Sequence, residues 1–136
     1  MKKTSDYVFV YGTLKKGFGN SFLLKDSCFI SEAETVNKYA LYERGIPFVI
    51  KHQNDTKIKG EVYKVDSYTL YQLDILEGHP NAYKRELVEI KIQDYHIKAW
   101  LYFYPNPIGN KVKDGVYKRY WVHTQFVCFV RRGLFL

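Results

Sequence analysis

Cysteine is scarce in this chain. Cys28 and Cys128 are the only two, far apart and in no metal-ligand spacing, which excludes a disulfide framework. Each reads as a small buried apolar side chain. The four histidines, His52, His79, His96 and His123, are scattered and offer no metal site; His79 reads as an exposed turn residue. No apolar run approaches the ~18 residues of a membrane-crossing helix. Met1-Lys2-Lys3 leads into polar residues and then a strand, not into an apolar leader. No secretory signal is expected, and a reducing cytoplasm is the expected setting. Internal repeats, low-complexity segments and a Ser nucleophile elbow are also lacking.

Aromatic residues are plentiful. Thirteen Tyr and nine Phe help bring the aromatic share to 18%, which tilts the expected class toward strands. A chain of 136 residues suits one domain that buries ~65–70% of its unfolded surface. The net charge of +7 is uneven. Lys111, Lys113, Lys118, Arg119, Arg131 and Arg132 face only Asp114 after residue 110. The body is nearly balanced, so the excess reads as a basic appendage, not a nucleic-acid-reading fold.

Residues 6–11 are an unbroken β-prone run, the pattern of a strand buried on both faces, and Gly12 ends it. A loop with Gly17 and Gly19 follows, then a brief helix through Phe22, Leu23, Leu24 and Lys25 capped by Asn20-Ser21. Residues 28–42 read as interrupted strand, 48–50 as a strand after the Gly45-Ile46-Pro47 turn, and 58–65 as an alternating one. Asp66-Ser67 cap a helix from Tyr68 to Leu76. Residues 83–92 and 95–104 form a hairpin around Gln93-Asp94, and Pro105 to Asn110 stops the sheet. Six or seven strands and two short helices predict an α+β fold dominated by antiparallel sheet, a small closed or nearly closed barrel.

The most informative stretch is Leu73 to Arg85. Leu70, Leu73, Leu76 and Ile75 supply an apolar helical stripe, Gly78 ends the helix, and Pro80 follows. Glu77 is left at the closing edge of an oily turn. The negative end of the helix dipole and the apolar neighbours both favour a protonated carboxyl there. Read from spacing alone, Glu77 is an ordinary solvated helix-end residue. Asp74 and Glu77, three apart on one helix, are poorly placed to flank a sugar as a glycosidase pair.

Tyr11-Gly12-Thr13-Leu14-Lys15, Leu41-Tyr42 with Gly45-x-Pro47, Gly60-Glu61-Val62-Tyr63, Leu73-Asp74-x-x-Glu77-Gly78, Tyr83-x-Arg85 and Tyr102-Phe103-Tyr104 occur in that order. Together they resemble the γ-glutamylcyclotransferase-like superfamily, in its γ-glutamylamine cyclotransferase and AIG2-like branch, over roughly residues 7–121. The resemblance implies a cofactor-independent enzyme that acts on a small γ-glutamyl substrate. The substrate's own α-amine attacks its γ-amide carbonyl and releases 5-oxoproline and a free amine, with no metal or nucleotide. It also implies Glu77 as general acid/base and Tyr11, Gly12, Thr13 and Leu14 as the glutamyl-binding loop.

Physical needs agree with that assignment. A strand stopping at glycine lets consecutive backbone N–H groups converge on a carboxylate. The loop lacks the Gly-Lys-Ser/Thr ending of a phosphate-binding loop. One carboxyl can take the α-ammonium's proton and later give it to the leaving amine. Tyr83 is the first choice for a wall or hydroxyl beside the substrate, with Tyr104 and Arg85 in support, and Asp74 reads as structural. Residues 1–121 form the expected domain, and 122–136 a basic, apolar extension with a surface for a second copy or a membrane. A competing reading is a non-catalytic binding module on the same fold, contacting acidic partners or nucleic acid through that tail.

Overall fold

The structure, a computed structural model, describes residues 5–12, 15 and 21–118. Strand β1 (Ser5–Val10) is the apolar run expected from its composition. After it come a single 3-10 turn (Ser21–Leu24), β2 (Cys28–Thr35), β3 (Ala40–Glu43), β4 (Pro47–Ile50) and β5 (Lys59–Asp66). Helix α1 (Ser67–Glu77), β6 (Lys84–Ile92), β7 (Tyr95–Phe103) and the two-residue β8 (Asn110–Lys111) complete the order.

Five strands close a barrel in the order β1-β5-β2-β6-β7, and β4-β3-β8 form a separate small sheet. Neighbours in the barrel are antiparallel except at the seam, where β1 meets β7 in parallel at Val8 and Trp100. Closure removes the exposed sheet edges that would otherwise invite pairing with other chains. Tyr104 N–H donates to the Val49 carbonyl at 2.9 Å and ties the end of β7 to β4.

Side-chain alternation divides the interior. Val8 and Val10 cluster with Leu70 and Leu73 of α1 and with Tyr83 and Tyr102. Phe9 and Tyr11 cluster with Val62, Ile90, Ala99 and Leu101 from the other barrel strands. All four residues from Val8 to Tyr11 are fully buried, as the two-sided reading requires.

Helix α1 has both ends specified. Asp66 accepts from Thr69 N–H at 2.8 Å, satisfying one of the donors a helix start leaves open. Gly78, at φ 66°, closes the other end. Its N–H donates to the Ile75 carbonyl (3.2 Å) and His79 N–H to that of Asp74 (2.9 Å), the paired bonds of a Schellman cap.

Four expectations are corrected. Cys28 is exposed, since it opens β2 where the strand has only just left the turn after Leu24. Ile75 is 62% exposed. The buried face of α1 is Leu70, Leu73 and Glu77, spaced by three and four, and Ile75 lies roughly opposite. The stretch after Pro105 does not end all pairing, because Asn110 and Lys111 bond to β3. His79 is half-buried rather than exposed, and its Nδ1 accepts from Arg85 N–H at 3.1 Å. Cys128 and the extension at 122–136 lie outside the described residues.

Candidate active site

Among the described residues only two polar side chains are buried, Thr35 and Glu77. Thr35 serves its own loop, where its hydroxyl donates to the Asn37 carbonyl (2.7 Å) and accepts from Ile58 N–H (2.9 Å). Glu77 is different. It is an ionisable group, 2% exposed, in the last position of α1. Burying a carboxylate is costly and needs a reason beyond helix formation, whose end Gly78 already supplies.

The turn after Glu77 is densely bonded. Tyr83 N–H donates to the Glu77 carbonyl at 3.1 Å, and the N–H groups of Asn81 and Ala82 both donate to the Gly78 carbonyl at 2.8 Å. Those bonds send the chain from α1 straight into β6 and bring Tyr83 beside Glu77.

Tyrosines gather around the carboxyl. Tyr11 is fully buried, and its hydroxyl donates to the Tyr102 carbonyl at 2.8 Å. Burial first, then the charge of Glu77, pushes that hydroxyl well above its ordinary range. Tyr83 donates to the Pro47 carbonyl at 3.0 Å. Burial, then Tyr11 and Glu77, raises it as well, with smaller contributions from Tyr104 and Tyr117. The Tyr83 ring lies parallel to Phe48 at 6.1 Å and meets Tyr104 edge-on at 5.1 Å. Both hydroxyl protons therefore go to backbone carbonyls, leaving these oxygens lone pairs to offer any other group.

Tyr11 leads directly into Gly12, so the aromatic cluster and the loop after β1 adjoin. Thr13 and Leu14 lie outside the described residues. Lys15, beyond them, donates from Nζ to the Tyr117 carbonyl at 3.0 Å. Burial pushes its ammonium below the ordinary value, against the pull of Glu61 and Glu32.

Arg85 is not a free surface charge. Its Nε and Nη2 donate to Asp74 Oδ1 (2.8 Å) and Oδ2 (3.1 Å), and the guanidinium lies 4.1 Å from the centre of the Trp100 ring. Tyr102 donates to the same Asp74 Oδ1 at 2.6 Å. Sequence reasoning gave Tyr102 and Tyr117 no role. A signal for Tyr102 existed: a two-residue turn at Gln93-Asp94 sets Ile92 opposite Tyr95 and, counting back, Arg85 opposite Tyr102. Tyr117, buried in the barrel cluster, sits after a stretch of turns that starts at Pro105, where no register carries through.

Among the described residues no group of three His, Cys, Asp or Glu is placed to hold a metal ion. None of the described helices is long and apolar enough to cross a membrane.

A closed barrel of this topology with one flanking helix is the fold of AIG2-like proteins. The crystal structure of such a protein from Mus musculus superposes with a TM-score of 0.78 at 24% identity, covering 88% of this chain and 92% of that one. Residues 8–123 match the family model described as gamma-glutamyl cyclotransferase, AIG2-like, and the chain belongs to that family. A protein of Methanocaldococcus jannaschii, named provisionally as a gamma-glutamylcyclotransferase, is 49% identical over 117 residues, 85% of this chain and 98% of that protein. The gamma-glutamylaminecyclotransferase B of Danio rerio is 43% identical over 94 residues, 62% of this chain and 49% of its own length.

Proposed function

We propose that the protein is a cytoplasmic γ-glutamyl(amine) cyclotransferase, working within residues 1–121 and releasing 5-oxoproline without a cofactor. The observation that carries the reading is Glu77, an ionisable side chain buried at a helix end among tyrosines that adjoin the loop at Gly12. Family membership supports it, since relatives carry the names of this activity.

The substrate's α-carboxylate is held by backbone N–H groups of Gly12, Thr13 and Leu14. Its α-ammonium, whose pKa is near ~7.7–8 in free form, gives a proton to the Glu77 carboxylate. The freed amine attacks the γ-carbonyl carbon, forming the lactam C–N bond and placing the electron pair on oxygen. That pair returns as the bond to the leaving nitrogen breaks and protonated Glu77 hands its proton to the departing amine. The new lactam nitrogen then gives up its second proton to the freed Glu77 carboxylate, which passes it on so that the amine leaves as an ammonium. Atoms and charge balance, and the carboxylate is regenerated. Tyr11, Tyr83 and Tyr104 act as walls that keep the chain folded for ring closure, an effect worth several kcal/mol. Arg85 supports the turn that carries Glu77.

The test is release of 5-oxoproline from γ-glutamyl-ε-lysine and a panel of γ-glutamyl amino acids, run in ¹⁸O-labelled water. Cyclisation predicts 5-oxoproline with no label. Labelled glutamate would make the protein a hydrolase, and no turnover of any member would remove the enzyme reading.

A further inference from the structure

Asp74 is the acceptor at the centre of the only bidentate ion pair among the described residues. Three donors on two strands converge on it: Nε and Nη2 of Arg85 on β6, and the Tyr102 hydroxyl on β7. Its own backbone carbonyl accepts from His79 N–H, and His79 in turn accepts at Nδ1 from Arg85 N–H. The backbone and side chains of Asp74, His79 and Arg85 thus form a closed ring of hydrogen bonds around the 77–83 turn. Tyr102 extends the ring, since its carbonyl receives the Tyr11 hydroxyl at 2.8 Å. Glu77 lies inside this frame, three residues after Asp74 on the same helix face.

Both Asp74 oxygens accept from the guanidinium, and Oδ1 also from the phenol. A bidentate pair fixes direction as well as distance, and here it fixes the last turn of α1 against the β6–β7 hairpin. Either side chain is only 18% exposed, so water screens the pair weakly.

We infer that Asp74 is a positioning residue, holding Glu77 in reacting geometry through Arg85 and Tyr102. Its catalytic consequence rests on the cyclisation proposed above; its structural consequence does not.

The experiment uses the full chain, wild type beside Asp74→Asn and Tyr102→Phe, with γ-glutamyl-ε-lysine as probe. Steady-state kinetics are measured together with amide hydrogen exchange by NMR. Asp74→Asn should lower kcat about 10–100-fold, as small misplacements near chemistry do, while KM stays within about twofold. The His79 and Tyr83 amides should exchange about tenfold faster, and those of Ile90 and Ile97, paired at the far end of the hairpin, should not change. A merely structural role would accelerate all four amides together. Tyr102→Phe keeps the ion pair and should move the same readouts less; it carries the test if Asp74→Asn does not fold. Unchanged kcat, or unchanged exchange at His79 and Tyr83, overturns the inference. If the wild type turns over no γ-glutamyl probe, the function fails, and the exchange data alone decide the positioning.

Discussion

Gly78→Ala probes the turn that carries Glu77. Gly78 sits at φ 66°, and an added Cβ would lie 3.0 Å from the Ala82 Cβ. A left-handed conformation costs a non-glycine residue about 1–2 kcal/mol. The contact with Ala82 adds to that, and the lower unfolded-state entropy of alanine returns about 0.4–1 kcal/mol. With the Ala82 contact taken to cancel that return, the net loss is about 1–2 kcal/mol. For a chain this long, the unfolding entropy near ~2.1 cal/mol/K per residue makes each kcal/mol worth about 3.5 °C. Melting, followed by circular dichroism, should therefore fall by about 3–7 °C. Gly45→Ala is the control, since Gly45 has φ 74° with nothing within 4 Å of the added carbon. The excess of Gly78→Ala over Gly45→Ala isolates the Ala82 contact, and a double-mutant cycle with Ala82→Gly should recover it. A Gly78→Ala protein that melts at the wild-type temperature would refute the reasoning, because neither the φ penalty nor the contact would then exist.

Asp66→Ala removes the Thr69 N–H acceptor and should cost about 1 kcal/mol, about 3–4 °C in melting temperature; no change would mean the cap is satisfied by water. Tyr11, Tyr83 and Tyr102 have hydroxyls raised above the ordinary value of 10 by burial before any other cause. An acid raised by folding leaves stability intact below its unfolded pKa and loses it above. Urea midpoints should hold through pH ~9 and fall steadily above pH ~10, and tyrosinate absorbance at these positions should appear only with unfolding. Full, reversible titration of all tyrosines in the folded protein would contradict their burial.

Much of the fold is legible in the sequence because local rules agree with the global one. The apolar run at β1, the Asp66 and Gly78 caps and the hairpin at Gln93-Asp94 each depend on neighbours in sequence. The parallel seam between β1 and β7 is not legible. It depends on how far a twisted sheet must turn before it meets itself, a property of the assembled barrel. β8 is too short for any periodicity. Hydrophobicity alone sends Ile75 inward, whereas the helix faces its core with Leu70, Leu73 and, against composition, Glu77. The Asp74–Arg85 pair is only half visible, since a charge on a strand pairs equally well with solvent until register is known. Glu77 draws notice from its motif, but its burial follows from packing that periodicity alone would have given to an apolar side chain.

The central claim is that the Glu77 carboxyl moves the proton, and Glu77→Gln tests it most directly because it keeps shape and removes only the titration. Release of 5-oxoproline from γ-glutamyl-ε-lysine should fall about 10²–10⁴-fold. Calorimetric affinity for the same substrate should stay within about threefold, since its binding is here assigned to backbone N–H groups at residues 12–14 and not to the Glu77 carboxyl. A Glu77→Gln protein that cyclises the substrate at the wild-type rate would contradict the account.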